Sequence, residues 1–275
     1  MIDGARTMRV LHGDVFECVD AWEGLLQELG IEPGSRWAAF DAGDLVSKAP
    51  STKCYRCKLP DERTVYFKRY TYPFSRWHEF WLRPGKAAVE FWAYGRLRQL
   101  GIPTLNVIAF GESRRWGALR ASCIVTEGIE QTVDLAAFVR TVWSRWPREK
   151  RLASGRAIAH QLLSQARKAH DAGFFHHDLK FRNLLIHPDG DPESIVWIDA
   201  PRASRMRFRE YRGVVTDLSG LSRIAISLFS RFELMRLLHV YLGKERRTEA
   251  KRLFRSIQKH LGRRMPKPLD LTYPD

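Results

Sequence analysis

The stretch Phe174-Phe-His-His-Asp-Leu-Lys-Phe-Arg-Asn-Leu-Leu-Ile186 decides how the rest of this chain reads. Its polar residues follow the order H-x-D-L-K-x-x-N, with Asp178 and Asn183 five positions apart. A turn-forming Pro188-Asp-Gly-Asp-Pro192 comes next, then an apolar run, Ile195-Val-Trp-Ile, that ends in Asp199. Each polar residue alone is unremarkable. Set between an apolar helix end and two short apolar strands, Leu184 to His187 and Ile195 to Ile198, they mark a place where chemistry is done.

On either side of this stretch the pattern is helical. Helices are expected over Val133 to Trp143 and Glu149 to Asp171, the latter with Leu152, Ile158, Leu162 and Ala166 near one face. Others follow over Val214 to Phe229, Arg231 to Leu242 and Arg247 to Leu261. The front of the chain differs. Residues 1 to about 35 hold an amphipathic helix with Asp20 as N-cap, Glu23 three positions later, an apolar face of Trp22, Leu25, Leu26 and Leu29, and Gly30 as its stop. From Arg36 to Tyr70 strands are expected, with Cys54 to Leu59 and Thr64 to Tyr70 joined as a hairpin through Pro60-Asp-Glu-Arg63. An aromatic-rich segment (Tyr72, Phe74, Trp77, Phe80, Trp81) leads to a helix over Lys86 to Leu100. Strands near Leu105 to Gly111 and Leu119 to Glu127 close the front half. A strand-rich front and a helix-rich back imply two lobes with a cleft between them, residues 1–128 and 129–275.

The central stretch resembles the protein-kinase superfamily, whose catalytic loop reads H-R-D-L-x-x-x-N and whose metal-binding acid follows soon after. The resemblance implies an α+β fold, protein-kinase-like and bilobal, with an antiparallel sheet plus helix in the N-lobe and a mainly helical C-lobe. ATP binding is expected in the first, and the catalytic loop and acceptor binding in the second. Phosphoryl transfer is catalysed mostly by positioning and charge neutralisation. Asp178 is then the catalytic base for the attacking hydroxyl, and Lys180 neutralises charge on the transferring group. Asn183 and Asp199 supply oxygen ligands for Mg²⁺. Lys68, at the end of Thr64-Val-Tyr-Phe-Lys68, is the expected phosphate-binding lysine, with Glu90 in the next helix to orient it. Glu127 joins them in the cofactor-binding set. No G-x-G-x-x-G precedes Lys68. The corresponding region reads Ser47-Lys-Ala-Pro-Ser-Thr-Lys53, where backbone amides, Lys48, Ser51, Thr52 and Lys53 are all open alternatives for phosphate contact.

The interval after Asp199 narrows the resemblance. It reads Asp-Ala-Pro where protein kinases have Asp-Phe-Gly, it lacks Ala-Pro-Glu, and His177 stands where many protein kinases have arginine. The composite H-H-D-L-K-F-R-N-L-L-I, W-I-D-A-P-R, an Arg-rich run and V-T-D-L-S-G-L is similar to the lipopolysaccharide kinase (Kdo/WaaP) family, from about Lys53 to the end of the chain. That family phosphorylates sugars, commonly heptose, of the lipopolysaccharide inner core in the bacterial cytoplasm. The resemblance implies a lipid-anchored, anionic saccharide acceptor, heptose or Kdo, met at the inner face of the cytoplasmic membrane by a peripheral enzyme. Arg202, Arg205, Arg207, Arg209 and Arg212 are the expected substrate-binding residues, since guanidinium groups suit bidentate contacts with carboxylate or phosphate. Asp217 either braces the catalytic loop, as the family's helical aspartate does, or is a helix N-terminal charge. The alternative is a small-molecule phosphotransferase of the aminoglycoside or choline kinase type, whose cationic acceptors call for acids where this chain has arginines.

Composition sets the outer bounds. The 275 residues carry 46 Lys+Arg against 31 Asp+Glu, a net charge of +15, which favours polyanionic partners. No recognisable nucleic-acid module accompanies that charge, so none is expected as partner. Nothing in the sequence approaches the apolar length that spans a bilayer, and no apolar run follows the N-terminal Arg, so a secreted product is not expected. Cys54 and Cys57 form a C-x-x-C on an expected strand, which points their thiols to opposite faces and speaks against a shared metal. Between Lys244 and Lys267 ten Lys or Arg face two Glu, either as a solvated helix face or as a face against anionic membrane.

Overall fold

A computed structural model describes residues 7–31, 36–206 and 210–264. The chain divides into two compact units, Met1–Arg96 with Leu105–Glu130, and Leu97–Thr104 with Gln131–Asp275. The first is an antiparallel sheet with helices, the second is mainly helical, and this is the protein-kinase-like architecture.

The first unit runs β1 (Gly13–Cys18), α1 (Asp20–Glu28), α2 (Arg36–Ala39), β2 (Asp44–Ala49), β3 (Thr52–Lys58), β4 (Thr64–Thr71), α3 (Lys86–Gln99), β5 (Val107–Arg115) and β6 (Ala118–Glu127). Its six strands pair in the order β1-β5-β6-β4-β3-β2, all antiparallel. Trp116 and Gly117 both take positive φ, 50° and 79°, so β5 and β6 join through a two-residue turn whose twist matches the strands. Strand alternation sends Tyr55, Cys57, Val65, Phe67, Cys123 and Val125 to one face. There Trp22 and Leu26 of α1, Trp37 of α2 and Phe40 bury them in one apolar core. Burial pushes the Cys57 thiol up to about 11, the behaviour of a structural thiol. The other face of the sheet carries Lys68 and Tyr70 toward α3.

Two expectations for the front of the chain are corrected. Asp20 is the first helical residue; Val19 is the N-cap, and no side chain caps α1. The segment expected only as helix also contains β1, which pairs with β5 from Gly13↔Arg114 to Cys18↔Ala109. Gly13-Asp-Val-Phe-Glu-Cys alternates too weakly to read as a strand, and it is the partner β5 that makes it one.

The second unit runs β7 (Val133–Asp134), α4 (Leu135–Thr141), α5 (Arg148–Asp171), β8 (Phe174–Phe175), β9 (Leu184–Ile186), β10 (Val196–Trp197), β11 (Ser204–Arg205), α6 (Glu210–Leu228), α7 (Arg231–Leu242) and α8 (Ala250–Arg264). Two small sheets, β10-β9-β7 and β11-β8, frame the central stretch. α4 starts later than expected because Val133 and Asp134 pair with β9 and the Asp134 carboxylate accepts from the Ala137 N–H. Ser230 and Glu233 form a capping box at the start of α7. An apolar cavity of about 490 Å³ opens among α4 to α8, lined by Phe138, Leu162, Leu221, Phe229, Leu238 and Ile257 among others. Among the described residues no helix is long and apolar enough to cross a membrane.

Trp37 is the largest side chain fully buried in the outer core of the first unit. Trp37→Ala is expected to cost about 3–5 kcal/mol of stability, read as a lower midpoint in denaturant with little change in slope.

Candidate active site

In the second unit the central stretch is a loop held at both ends by strands. Gly173, at φ +71°, turns the chain out of α5 into β8; a 3₁₀ turn, Phe181–Asn183, then leads into β9. Between them Asp178 is engaged from both sides. Its Oδ1 lies 2.8 Å from Lys180 Nζ, and Asn183 Nδ2 donates to Asp178 Oδ2 at 3.2 Å and to its carbonyl oxygen at 2.8 Å. Asn183 is buried, whereas the Asp178 side chain stays 31% exposed. A fixed carboxylate that solvent still reaches is what a base needs in order to meet an incoming hydroxyl.

The loop is clamped from beneath. The His176 side chain is fully buried; its Nδ1 accepts from the Asp178 N–H at 3.3 Å, so Nε2 carries the proton and donates to the Ile198 carbonyl at 3.1 Å. The His176 backbone N–H donates to Asp217 Oδ2 at 2.8 Å, and His170 Nε2 stands 3.3 Å from the same oxygen. Asp217 lies two turns inside α6 and is fully buried, so the reading of it as a helix N-terminal charge is set aside. Burial alone would raise its carboxyl; the hydrogen bond and charge of His170, with the backbone N–H of His176, outweigh burial and hold it below its ordinary 3.8. One turn on, Gly220 faces the Leu179 carbonyl so closely that a Cβ would collide with it. Asp199 and His177 both take left-handed φ, 59° and 62°, a cost of order 1–3 kcal/mol for each non-glycine residue that such surroundings must over-determine.

Asn183 and Asp199 suit a hard cation. Both Asn183 contacts with Asp178 use its amide N–H₂, which leaves its carbonyl oxygen available, and Asp199 adds a carboxylate. Arg202, Arg205 and Arg212 are exposed, and none forms an ion pair among the described residues. Arg207 and Arg209 lie outside the described residues. His177 Nε2 meets Ser204 Oγ at 2.6 Å, tying the loop to the strand that carries Arg205.

In the first unit Lys68 Nζ contacts Glu90 Oε1 at 3.0 Å and Oε2 at 3.1 Å. Their side chains are 16% and 2% exposed. A surface pair would contribute about 0–1 kcal/mol, but breaking a buried one costs about 3–5 kcal/mol because a charge is stranded. Two further donors complete the carboxylate: Tyr70 Oη at 2.6 Å and Tyr94 Oη at 2.5 Å. Neither tyrosine is evident as a site residue from sequence alone, although Tyr94 lies one helical turn from Glu90 and Tyr70 two strand positions from Lys68. Glu127 is not brought to this cluster. Its carboxylate accepts from Asn106 Nδ2 at 3.1 Å, and it shares the strand parity of Val125 and Cys123, opposite to Lys68.

A model of the lipopolysaccharide kinase (Kdo/WaaP) family matches residues 54–241. This chain belongs to that family. Its family segment starts where the sequence resemblance does but stops within α7, leaving α8 outside. The chain is similar to the lipopolysaccharide core heptose(I) kinase WaaP of Pseudomonas aeruginosa, 30% identical over 163 residues, which are 58% of this chain and 60% of that protein. It is 31% identical over 160 residues to the enzyme of the same name from Escherichia coli K12, over 56% of this chain and 59% of that one. The chain thus matches about three-fifths of the length of these relatives. A solved structure, WaaP in complex with acyl carrier protein, superposes with a TM-score of 0.69 at 22% identity, covering 90% of this chain and 98% of that one. The fold of this family member is therefore kinase-like.

Two measurements probe the clamp. The lowered Asp217 carboxyl means the unfolded chain binds the extra proton first, so its contribution is present above 3.8 and is lost as pH falls through the lower folded value. Asp217→Asn should lower stability at neutral pH and flatten its fall below about pH 4, in denaturation curves taken across pH. Gly220→Ala should destabilise by about 1–3 kcal/mol and disturb the loop, because backbone rather than a flexible side chain must give way.

Proposed function

We propose that this chain is an ATP-dependent kinase that phosphorylates a sugar hydroxyl, heptose or Kdo, of the lipopolysaccharide inner core. The observation that carries the reading is Asp178, held through Lys180 and Asn183 with its carboxylate still open to solvent. In the reaction the acceptor hydroxyl gives its proton to Asp178 as its oxygen bonds to the γ-phosphorus, and the bond to the β-phosphate oxygen of ATP breaks. Lys180 offsets charge beside the base. Lys68, steadied by Glu90, Tyr70 and Tyr94, binds nucleotide phosphate. Magnesium held by Asn183 and Asp199 would neutralise phosphate charge. ATP binding is thus the task of the first unit, and catalysis and acceptor binding that of the second. Exposed, unpaired Arg202, Arg205 and Arg212 favour an anionic saccharide over a cationic small molecule. We place the enzyme in the cytoplasm, peripheral at the inner membrane, where such an acceptor is anchored.

The similar WaaP structure was solved in complex with acyl carrier protein, which supports such a carrier as a second partner of this chain. A specific observation favours it here: the apolar cavity of about 490 Å³ in the second unit is suited to a fatty acyl chain. Leu162→Ala, which widens that cavity, should weaken acyl carrier protein binding when the acyl form is used and leave binding of the apo form unchanged.

The decisive experiment is transfer from labelled ATP to core saccharide, alongside an aminoglycoside and choline. Asp178→Ala should abolish transfer while ATP still binds; turnover near wild type would remove Asp178 from the role. Lys68→Met should raise KM for ATP and lower kcat. Arg202→Ala with Arg205→Ala removes two charge-assisted hydrogen-bonding groups, so KM for the saccharide should rise at least about tenfold while KM for ATP stays nearly unchanged. Transfer to choline or an aminoglycoside, with none to saccharide, would overturn the reading.

A further inference from the structure

Three cations stand in a single row on the face of the first unit's sheet that lies opposite to Lys68. The pairing is Lys48↔Lys53 between β2 and β3, and Lys53↔Arg69 between β3 and β4; the row ends on buried Cys123 of β6. Directly opposed residues of an antiparallel pair project to the same side, with Cβ atoms about 4.5–5.5 Å apart, and like charges placed so repel. Such a row is disfavoured unless something negative sits against it.

Among the described residues no carboxylate pairs with Lys48, Lys53 or Arg69. Arg69 is only 9% exposed; its Nη1 donates to the Ala38 carbonyl at 2.5 Å, and its Nε is buried without a partner. A buried guanidinium with an unmet N–H and no anion carries a large desolvation cost. All three cations line one cavity of about 470 Å³, which Thr52 and Thr71 also border. That volume accommodates a phosphate group together with part of the molecule carrying it.

We propose that Lys48, Lys53 and Arg69 form a phosphate-binding site on the outer face of this sheet. The ligand is a phosphate ester, whose negative charge is shared by tetrahedrally arranged oxygens that offer three cationic donors more directions of approach than a planar carboxylate does. The three cations face away from Lys68: Lys68 pairs with Cys54 and Ile124, one position off the row of Lys53, Arg69 and Cys123, so the two sets of side chains project to opposite sides of the sheet. Of the alternatives left open by the absent glycine-rich loop, the two lysines are thereby assigned to a different anion. The site stands whether or not Asp178 serves as a kinase base. Its phosphate comes either from a soluble ester or from a phospholipid headgroup at a membrane surface.

The test uses the full chain and two probes. Inorganic phosphate is titrated at constant ionic strength, with binding followed by calorimetry and by the rise in melting temperature. Co-sedimentation is measured with phosphatidylglycerol–phosphatidylcholine vesicles and with phosphatidylcholine alone. Wild type should bind phosphate saturably. Lys48→Ala with Lys53→Ala, both outside the apolar core, should fold normally by circular dichroism and weaken phosphate binding about tenfold or more. Without phosphate this variant should melt no lower than wild type, since a repulsion has been removed. Lys48→Arg with Lys53→Arg should retain binding, and so should Lys68→Met. Lysine-dependent capture by the anionic vesicles names the lipid headgroup as the source; saturation by phosphate with no capture names a soluble ester. The proposal is overturned if neither probe binds wild type at tens of millimolar phosphate, if the double alanine variant binds like wild type, or if only Lys68→Met loses binding.

Discussion

The carboxylate of Asp217 is the constraint around which the His176–Asn183 loop of the second unit is organised. A fully buried negative charge is costly and persists only where donors and nearby positive charge offset it. Here Oδ2 receives the His176 backbone N–H and faces His170, while Oδ1 is buried without a hydrogen-bond partner among the described residues, so the whole charge rests on those two contacts. Satisfying the charge therefore draws α5, the loop after β8 and α6 to one point. The effect does not stop at Asp217. Because His176 is fixed by its own N–H, its ring can face both the Asp178 N–H and the Ile198 carbonyl. Asp199 follows Ile198 directly. A single buried charge thus sets the backbone that carries the expected base and the backbone that carries an expected metal ligand. Gly220 makes the arrangement sterically possible, since any side chain there would push α6 away from Leu179.

Glu90 in the first unit solves the same problem with a different result. Its two oxygens receive Lys68, Tyr70 and Tyr94, so the carboxylate is spent within the protein. Lys68 Nζ is held against this carboxylate with its side chain 16% exposed. An ammonium group held in place at the edge of solvent is suited to phosphate. The energetic sense is that Glu90 fixes a direction, at a cost that the tyrosine hydroxyls offset.

Much of this was legible in the sequence because the chemistry of the loop is local. The spacing from Asp178 to Asn183 fits one 3₁₀ turn, and the apolar run before Asp199 is a strand whose end is set by its own residues. Helix periodicity located α3, α5 and α7 within a residue or two. What escaped depends on partners far along the chain. Asp217 reads equally well as a helix N-terminal charge until α6 is seen to begin at Glu210. β1 exists because β5 pairs with it, and Asp20 fails as an N-cap because Val19 is already tied to Ile108 at the strand end. The side to which Lys48 and Lys53 point follows from register, which composition does not carry.

The distribution of charge ties these observations together. The chain has 15 more basic than acidic side chains, and several of its acids are committed to internal tasks. Glu90, Glu112, Asp178 and Asp217 each hold a cation, a histidine or backbone within one unit. Acids used this way cannot also neutralise the surface. The excess positive charge is then left at particular places: Arg202, Arg205 and Arg212 in the stretch after Asp199, and the row Lys48, Lys53 and Arg69 on the outer sheet face. Unpaired cations that cluster focus a positive potential, which raises the local concentration of anions and speeds their encounter. The field of this protein is thus a consequence of how its interior is braced, and its partners should be sought among molecules that carry phosphate or carboxylate in more than one place.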